Sequence, residues 1–135
     1  MIEGTSQINF SNECPEIFAK IKKVFNVKWE KVIITYGNTI YSEKIFPSDV
    51  LAHEEVHVKQ QETMGKDVWW DKYLNDKKFR LDQEVEAYRV QVKWLKENSP
   101  RNYKQIRLKQ ITQDLSGGIY GNIVSFLEAK KLIGI

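Results

Sequence analysis

Residues 47–65 read Pro-Ser-Asp-Val-Leu-Ala-His-Glu-Glu-Val-His-Val-Lys-Gln-Gln-Glu-Thr-Met-Gly, and the fold is best read outward from this stretch. Pro47 fixes a backbone angle suited to a helix start, Ser48 is a cap candidate, and Asp49 puts a carboxylate in the first turn. Gly65 is a stop signal. A helix from about residue 48 to Met64 is therefore expected. Inside it, residues 53–57 are His-Glu-Glu-Val-His. Residues i and i+4 share a helix face, so the imidazoles of His53 and His57 point the same way. Two neutral imidazoles so placed can bind one zinc ion. Glu54 follows His53 by about 100° around the helix. There it can act on a metal-bound water without being a ligand. The plain alternative is a surface helix carrying two histidines by coincidence. The chain holds only two histidines, and both are here.

A zinc site of this kind needs a third protein ligand and one position for water. No histidine remains, so the ligand is sought among carboxylates. The next helix is expected from about Phe79 to Asn98, ended by Ser99-Pro100, and it contains Leu-Asp-Gln-Glu-Val-Glu-Ala-Tyr-Arg at 81–89. Leu81, Val85, Tyr88, Val92 and Leu95 form an apolar stripe. Glu84 lies at the edge of that stripe and Glu86 near the opposite side. A buried ligand belongs on the inward edge, which selects Glu84. The competing reading makes Glu84 a solvated helix carboxylate, paired with Tyr88 or Arg80.

Together, His-Glu-Glu-Val-His at 53–57 and Glu-Val-Glu-Ala-Tyr at 84–88 resemble the gluzincins. These are zinc metallopeptidases with HExxH on one helix and a glutamate ligand on the next. The resemblance covers about residues 48–95. It implies a zincin-like α+β fold, Zn2+ held by His53, His57 and Glu84, Glu54 as general base, and a peptide or protein substrate. One position departs from the pattern: Tyr88 stands where the family usually has an acidic residue that orients a zinc-bound histidine.

Upstream, Lys31 to Phe46 read Lys-Val-Ile-Ile-Thr-Tyr-Gly-Asn-Thr-Ile-Tyr-Ser-Glu-Lys-Ile-Phe. Two β-branched and aromatic runs flank Gly37-Asn38, both tolerant of positive φ, which predicts a β-hairpin over roughly 30–45. The gluzincin resemblance implies that residues 31–44 offer a strand edge to an extended substrate; the alternative is a purely structural hairpin. Residues 1–11 read as a loose leader and 12–25 as a first helix. Residues 67–77 fit a short helix or an ordered loop, and 101–115 another helix. Gly117-Gly118 breaks the chain before a last helix over 120–133. The whole, 1–135, reads as one α+β domain: a small sheet beside a mostly helical body.

Smaller signals are weaker. Glu55 points away from the histidines and should be solvated. Gln60 and Gln61 either line the cleft or finish a polar helix. Trp69 and Trp70 read as packing residues, the alternative being a hydrophobic substrate pocket. Tyr73, Tyr88, Arg89 and Tyr120 are all candidate donors to a developing oxyanion, and nothing in the sequence selects among them. Lys104, Arg107 and Lys109 read as a solvated basic face. With 135 residues there is little room for a second wall to a cleft, so a protein substrate or a partner would have to complete it.

Composition sets the outer limits. Apolar residues are 41% and charged residues 29%, enough for a core and too mixed in sign for disorder. A net charge of +3 is a mild bias that decides little; a basic helical nucleic-acid binder is the least favoured reading, since the sequence shows no reading helix or RNA-binding motif. The single cysteine, Cys14, rules out an intramolecular disulfide and reads as a small buried hydrophobe. No signal peptide or membrane-spanning run is legible, so a cytoplasmic protein is expected. Zinc is the expected metal, though other divalent ions lie near it in affinity. The main rival to an enzyme is a non-catalytic metal-binding interaction module, such as a phage, secretion-system or regulatory component with a vestigial site.

Overall fold

The computed structural model describes residues 7–135, and among them it is α+β and mostly helical. Three short strands, β1 (Asn9–Ser11), β2 (Ile33–Tyr36) and β3 (Thr39–Ser42), precede most of the helical body. The helices are α1 (Phe18–Val24), α2 (Ser48–Met64), α3 (Lys66–Asn75), α4 (Lys77–Asn98), α5 (Arg101–Ser116) and α6 (Phe126–Leu132). Single 3-10 turns cover Trp29–Lys31 and Gly118–Tyr120. Among the described residues no helix is long and apolar enough to cross a membrane.

The hairpin forms where Gly37-Asn38 predicts it, with Tyr36 opposite Thr39 and Ile34 opposite Tyr41. Only Gly37 takes a positive φ, 64°. That pattern belongs to the turns with glycine at the first central position rather than to Asn-Gly-type turns with both residues left-handed. The leader reading needs correction. Residues 1–6 lie outside the described residues, but Asn9–Ser11 adds a third strand, parallel to β3 in the order β1-β3-β2. A three-residue strand has no periodicity to read; its pairing with a distant strand creates it. The first helix is shorter than expected because Pro15 disfavours helical backbone at Cys14. Cys14 itself is exposed in the loop this leaves, not buried.

Helix α2 runs to Met64 and stops at Gly65, whose φ of 96° is costly for a side-chain-bearing residue. No side chain caps its start: Pro47 holds the cap position and Ser48 is exposed. Asp49 is turned inward and almost completely buried. Helix α4 begins where the Asp76 side chain accepts a bond from Phe79 N at 3.0 Å. The last helix is split from its predicted start by Gly121 and Asn122, both at positive φ, and restarts with a capping box between Ser125 and Glu128.

Two apolar clusters organise the packing. In the first, Phe18, Ile21, Phe25 and Ile34 meet Trp69, Trp70, Tyr73 and Leu74 between the sheet, α1 and α3. The second gathers the C-terminal half of α4 with α5 and α6 through Val92, Leu95, Leu108, Ile111, Leu115 and Ala129. Helices α2 and α4 lie along each other, which brings residues 53–57 against residues 84–91.

Candidate metal centre

The two imidazoles predicted to share a face of α2 do so, and α4 delivers Glu84 between them. His53 Nε2 and His57 Nε2 lie 3.1 Å apart, and Glu84 Oε1 is 3.1 Å from the first and 3.3 Å from the second. All three side chains are buried. They form a group whose ligand atoms fall within 4.8 Å of one another. A tetrahedral ion with bonds near 2.0–2.1 Å sets its ligand atoms about 3.3 Å apart, so these spacings fit a divalent metal held by two nitrogens and one carboxylate oxygen. Glu86, the alternative third ligand, is exposed on the other side of α4 and accepts a bond from Gln60 instead.

Electrostatics point the same way. Burial pushes the Glu84 carboxyl up, but the adjacent His57 and His53 outweigh it and hold the group well below the usual carboxylate range. For His57, burial favours the neutral ring. The Glu84 charge, its hydrogen bond and nearby Glu54 overcome this and raise the pKa to about 9. A cluster that binds a proton this firmly is one that attracts positive charge between its donors. Tyr73 donates a hydrogen bond to Glu84 Oε2, the oxygen turned away from the histidines. Burial and the Glu84 charge keep the Tyr73 hydroxyl protonated, so it remains a donor.

Glu54 is buried beside the group, with Oε2 3.9 Å from His53 Nε2. Its other oxygen accepts from Thr35 Oγ1 at 2.8 Å, which ties it to β2. Gln61 joins the same two elements: its Nε2 donates to Thr35 O at 2.8 Å, and its Oε1 accepts from Gly37 N at 2.7 Å. Trp70 Nε1 also donates to Thr35 O, at 3.1 Å. Gln61 is thus neither a cleft residue nor a polar helix end. It is the buried clamp that fixes the hairpin on α2, and α2 alone gives no sign of it.

The imidazoles are held from behind by glutamines. Gln91 Oε1 lies 2.9 Å from His53 Nδ1, and Gln60 Oε1 lies 2.8 Å from His57 Nδ1. Tyr88, expected to stand in for an acidic partner of histidine, does something else. Its ring meets that of His53 edge-on at 4.3 Å, and its hydroxyl bonds that of Tyr120 at 2.7 Å. Gln91, three residues further along α4, makes the contact to His53 Nδ1 expected of position 88. The spacing signal was one helical turn out, and the helix brings both residues to the same face.

A cleft of about 510 Å³ opens over the group. One wall is β2 with the loop to α2. Contrary to the expectation from chain length, the protein supplies a second wall from α5 and the Gly118–Tyr120 turn, including Tyr103, Arg107, Ile111 and Tyr120. Arg107 is therefore not part of a solvated face: its guanidinium pairs with buried Asp49 at 2.9 Å. Arg80, buried and bonded to the carbonyls of Tyr73, Leu74 and Tyr120, pins this second wall to α3 and α4. Of the four candidate oxyanion donors, Tyr73 is engaged by Glu84, and Arg89 is exposed and bonded to Leu132 O. Tyr88 and Tyr120 line the cleft. Trp69 and Trp70 are buried in the first apolar cluster and also line the cleft, and Glu55 is exposed.

Comparison with protein-family models, curated proteins and solved structures returns no match, so the functional reading rests on the geometry of this site.

Proposed function

We propose that this chain is a zinc-dependent hydrolase with a zincin-like arrangement, a metallopeptidase that cleaves peptide bonds with Glu54 as general base. The observation that carries this reading is the combination of three converging ligand atoms with a fourth buried carboxylate, Glu54, that faces them without joining them. A purely structural metal site closes its coordination with four protein ligands, whereas a catalytic one keeps a position open. Among the described residues the group supplies three. His53, His57 and Glu84 would hold the ion, which when bound would acidify a water and polarise the scissile carbonyl.

The protein's own part follows from its contacts. Thr35 occupies Oε1 of Glu54, leaving Oε2 to take a proton from the attacking water and return it to the leaving amine. In a hairpin with a two-residue loop, Tyr36 and Ile34 bond across to β3. The main-chain groups of Ile33 and Thr35 therefore point to the open edge. Thr35 O is already taken by Gln61 and Trp70. That leaves the Ile33 N–H and C=O and the Thr35 N–H on the cleft side to align an extended peptide. Of the tyrosine pair, one hydroxyl donates to the other, and the remaining proton is free to reach a developing oxyanion in the cleft.

Glu54→Gln tests the reading. It keeps the Thr35 hydrogen bond and the ligand set. Peptide hydrolysis is expected to fall by about 10²–10⁴-fold with zinc content unchanged. A zinc-loaded wild type with no hydrolysis to lose, across a broad peptide library, would instead favour the non-catalytic module.

A further inference from the structure

We propose that Gln60 and Gln91 are positioning residues that preset both histidines as Nε2 ligands through uncharged acceptors, keeping the nearest supporting carboxylates one amide away from the metal ligands. The inference rests on the metal-site reading above.

The orientation of each amide follows from its neighbours. Gln91 Nε2 lies 2.8 Å from Asp49 Oδ2, and Arg107 reaches the same oxygen at 2.9 Å. A carboxylate paired with a guanidinium only accepts, so the amide nitrogen must face Asp49 and the amide oxygen must face His53. His53 Nδ1, 2.9 Å from that oxygen, then carries the ring proton, and Nε2 turns a lone pair to the cluster. The same logic holds on the other side. Gln60 Nε2 donates to Gln83 O at 3.1 Å and Glu86 Oε1 at 2.7 Å, both acceptors. Its oxygen therefore accepts from His57 Nδ1, which frees His57 Nε2.

The charge is placed in an unusual way. A partner that accepts the outer N–H of a ligating histidine raises the basicity of the ring, and a carboxylate there does so most strongly. Here both histidines meet neutral amides, with Asp49 and Glu86 standing behind them. Gln91 and Asp49 are both buried, so neither is a casual surface choice; a buried polar chain persists when its members satisfy one another. The ligands accordingly donate less charge to the ion than carboxylate-backed histidines would. The site trades metal affinity for a more strongly polarising ion.

The test moves the charge by one residue. Gln91→Glu combined with Asp49→Asn keeps the net charge and a donor–acceptor pair between the two positions. Asp49 Oδ1 has no hydrogen-bond partner, so turning the new amide there breaks no existing bond at that atom. Zinc affinity, measured by chelator competition, is expected to tighten by about tenfold, the low end of what outer partners contribute. Gln60→Ala, on a partly exposed helical position, is expected to weaken zinc by about tenfold. In ring ¹⁵N spectra of the zinc-loaded protein it should also remove the slowly exchanging Nδ1–H signal of His57 while that of His53 persists. Unchanged or weaker affinity in the folded exchange variant overturns the proposal. If that variant does not fold, unchanged affinity and a persistent His57 signal in Gln60→Ala overturn it instead. A wild type that binds no zinc defeats the metal-site reading itself, a result distinct from zinc binding that ignores both changes.

Discussion

The two packed regions of this molecule are built by different rules. Around α5 and α6 the core is Leu, Ile, Val and Ala beside the ring of Tyr88, and Thr112, the buried polar residue of α5, bonds back to Leu108 O. Around α2, the hairpin and the side of α4 that faces them, the interior holds Thr35, Asp49, His53, Glu54, His57, Gln61, Glu84 and Gln91. Burying such groups costs free energy unless each is paired, and here each residue has a named partner, although Asp49 Oδ1 is left without one. The apolar region stabilises by area removed from water, roughly 25 cal/mol per Å². The polar region contributes little net stability for its volume and holds chemical groups where water alone would not keep them. Stability and the candidate metal centre therefore rest on different parts of the chain.

Ligand removal tests that separation most severely. His57→Ala and Glu84→Ala should each weaken zinc binding by more than the roughly 10–100-fold expected for loss of an outer partner, read by elemental analysis after dialysis. Retention of zinc by Glu84→Ala alone would move the third ligand elsewhere on α4. Leu95→Ala probes the other region. Leu95 is 0% exposed, and truncation should cost about 2–5 kcal/mol in chemical denaturation. Zinc affinity of the folded fraction should not change. A coupled loss of affinity would show that the two regions are one unit.

The smallest expected effect is a pH dependence in the polar region. With no metal, His57 has a pKa raised from 6.5 to about 9, so its contribution to stability is complete below pH 6.5 and fades as pH rises through 9. The Glu84 pKa is depressed, so its contribution is present above its ordinary 4.5 and fades only as pH falls below that. Metal-free protein should therefore lose stability between pH 6.5 and 9. Over the same interval zinc, which displaces the proton, should bind more tightly by roughly tenfold per pH unit. Flat affinity across that range would mean that no proton shares the site.

Reading the sequence went furthest where one element carries the whole signal. The spacing of His53 and His57, the alternation around Gly37-Asn38, and the inward edge of α4 at Glu84 are periodicities of single helices or strands, and the structure keeps all three. It went wrong where the partner lay elsewhere in the chain. Gln91 rather than Tyr88 backs His53, because reaching Nδ1 depends on the crossing of α2 and α4. Arg107 read as solvated because Asp49, its partner, is 58 residues away.

The local elements, the two-histidine face and the carboxylate able to join it are legible from residue order alone, because helix and strand periods are properties of consecutive residues. Which oxygen of Glu54 is free, which amides hold the imidazoles, and that α5 walls the cleft are settled by packing between distant segments. Those depend on distances between segments far apart in the chain, which no local period encodes.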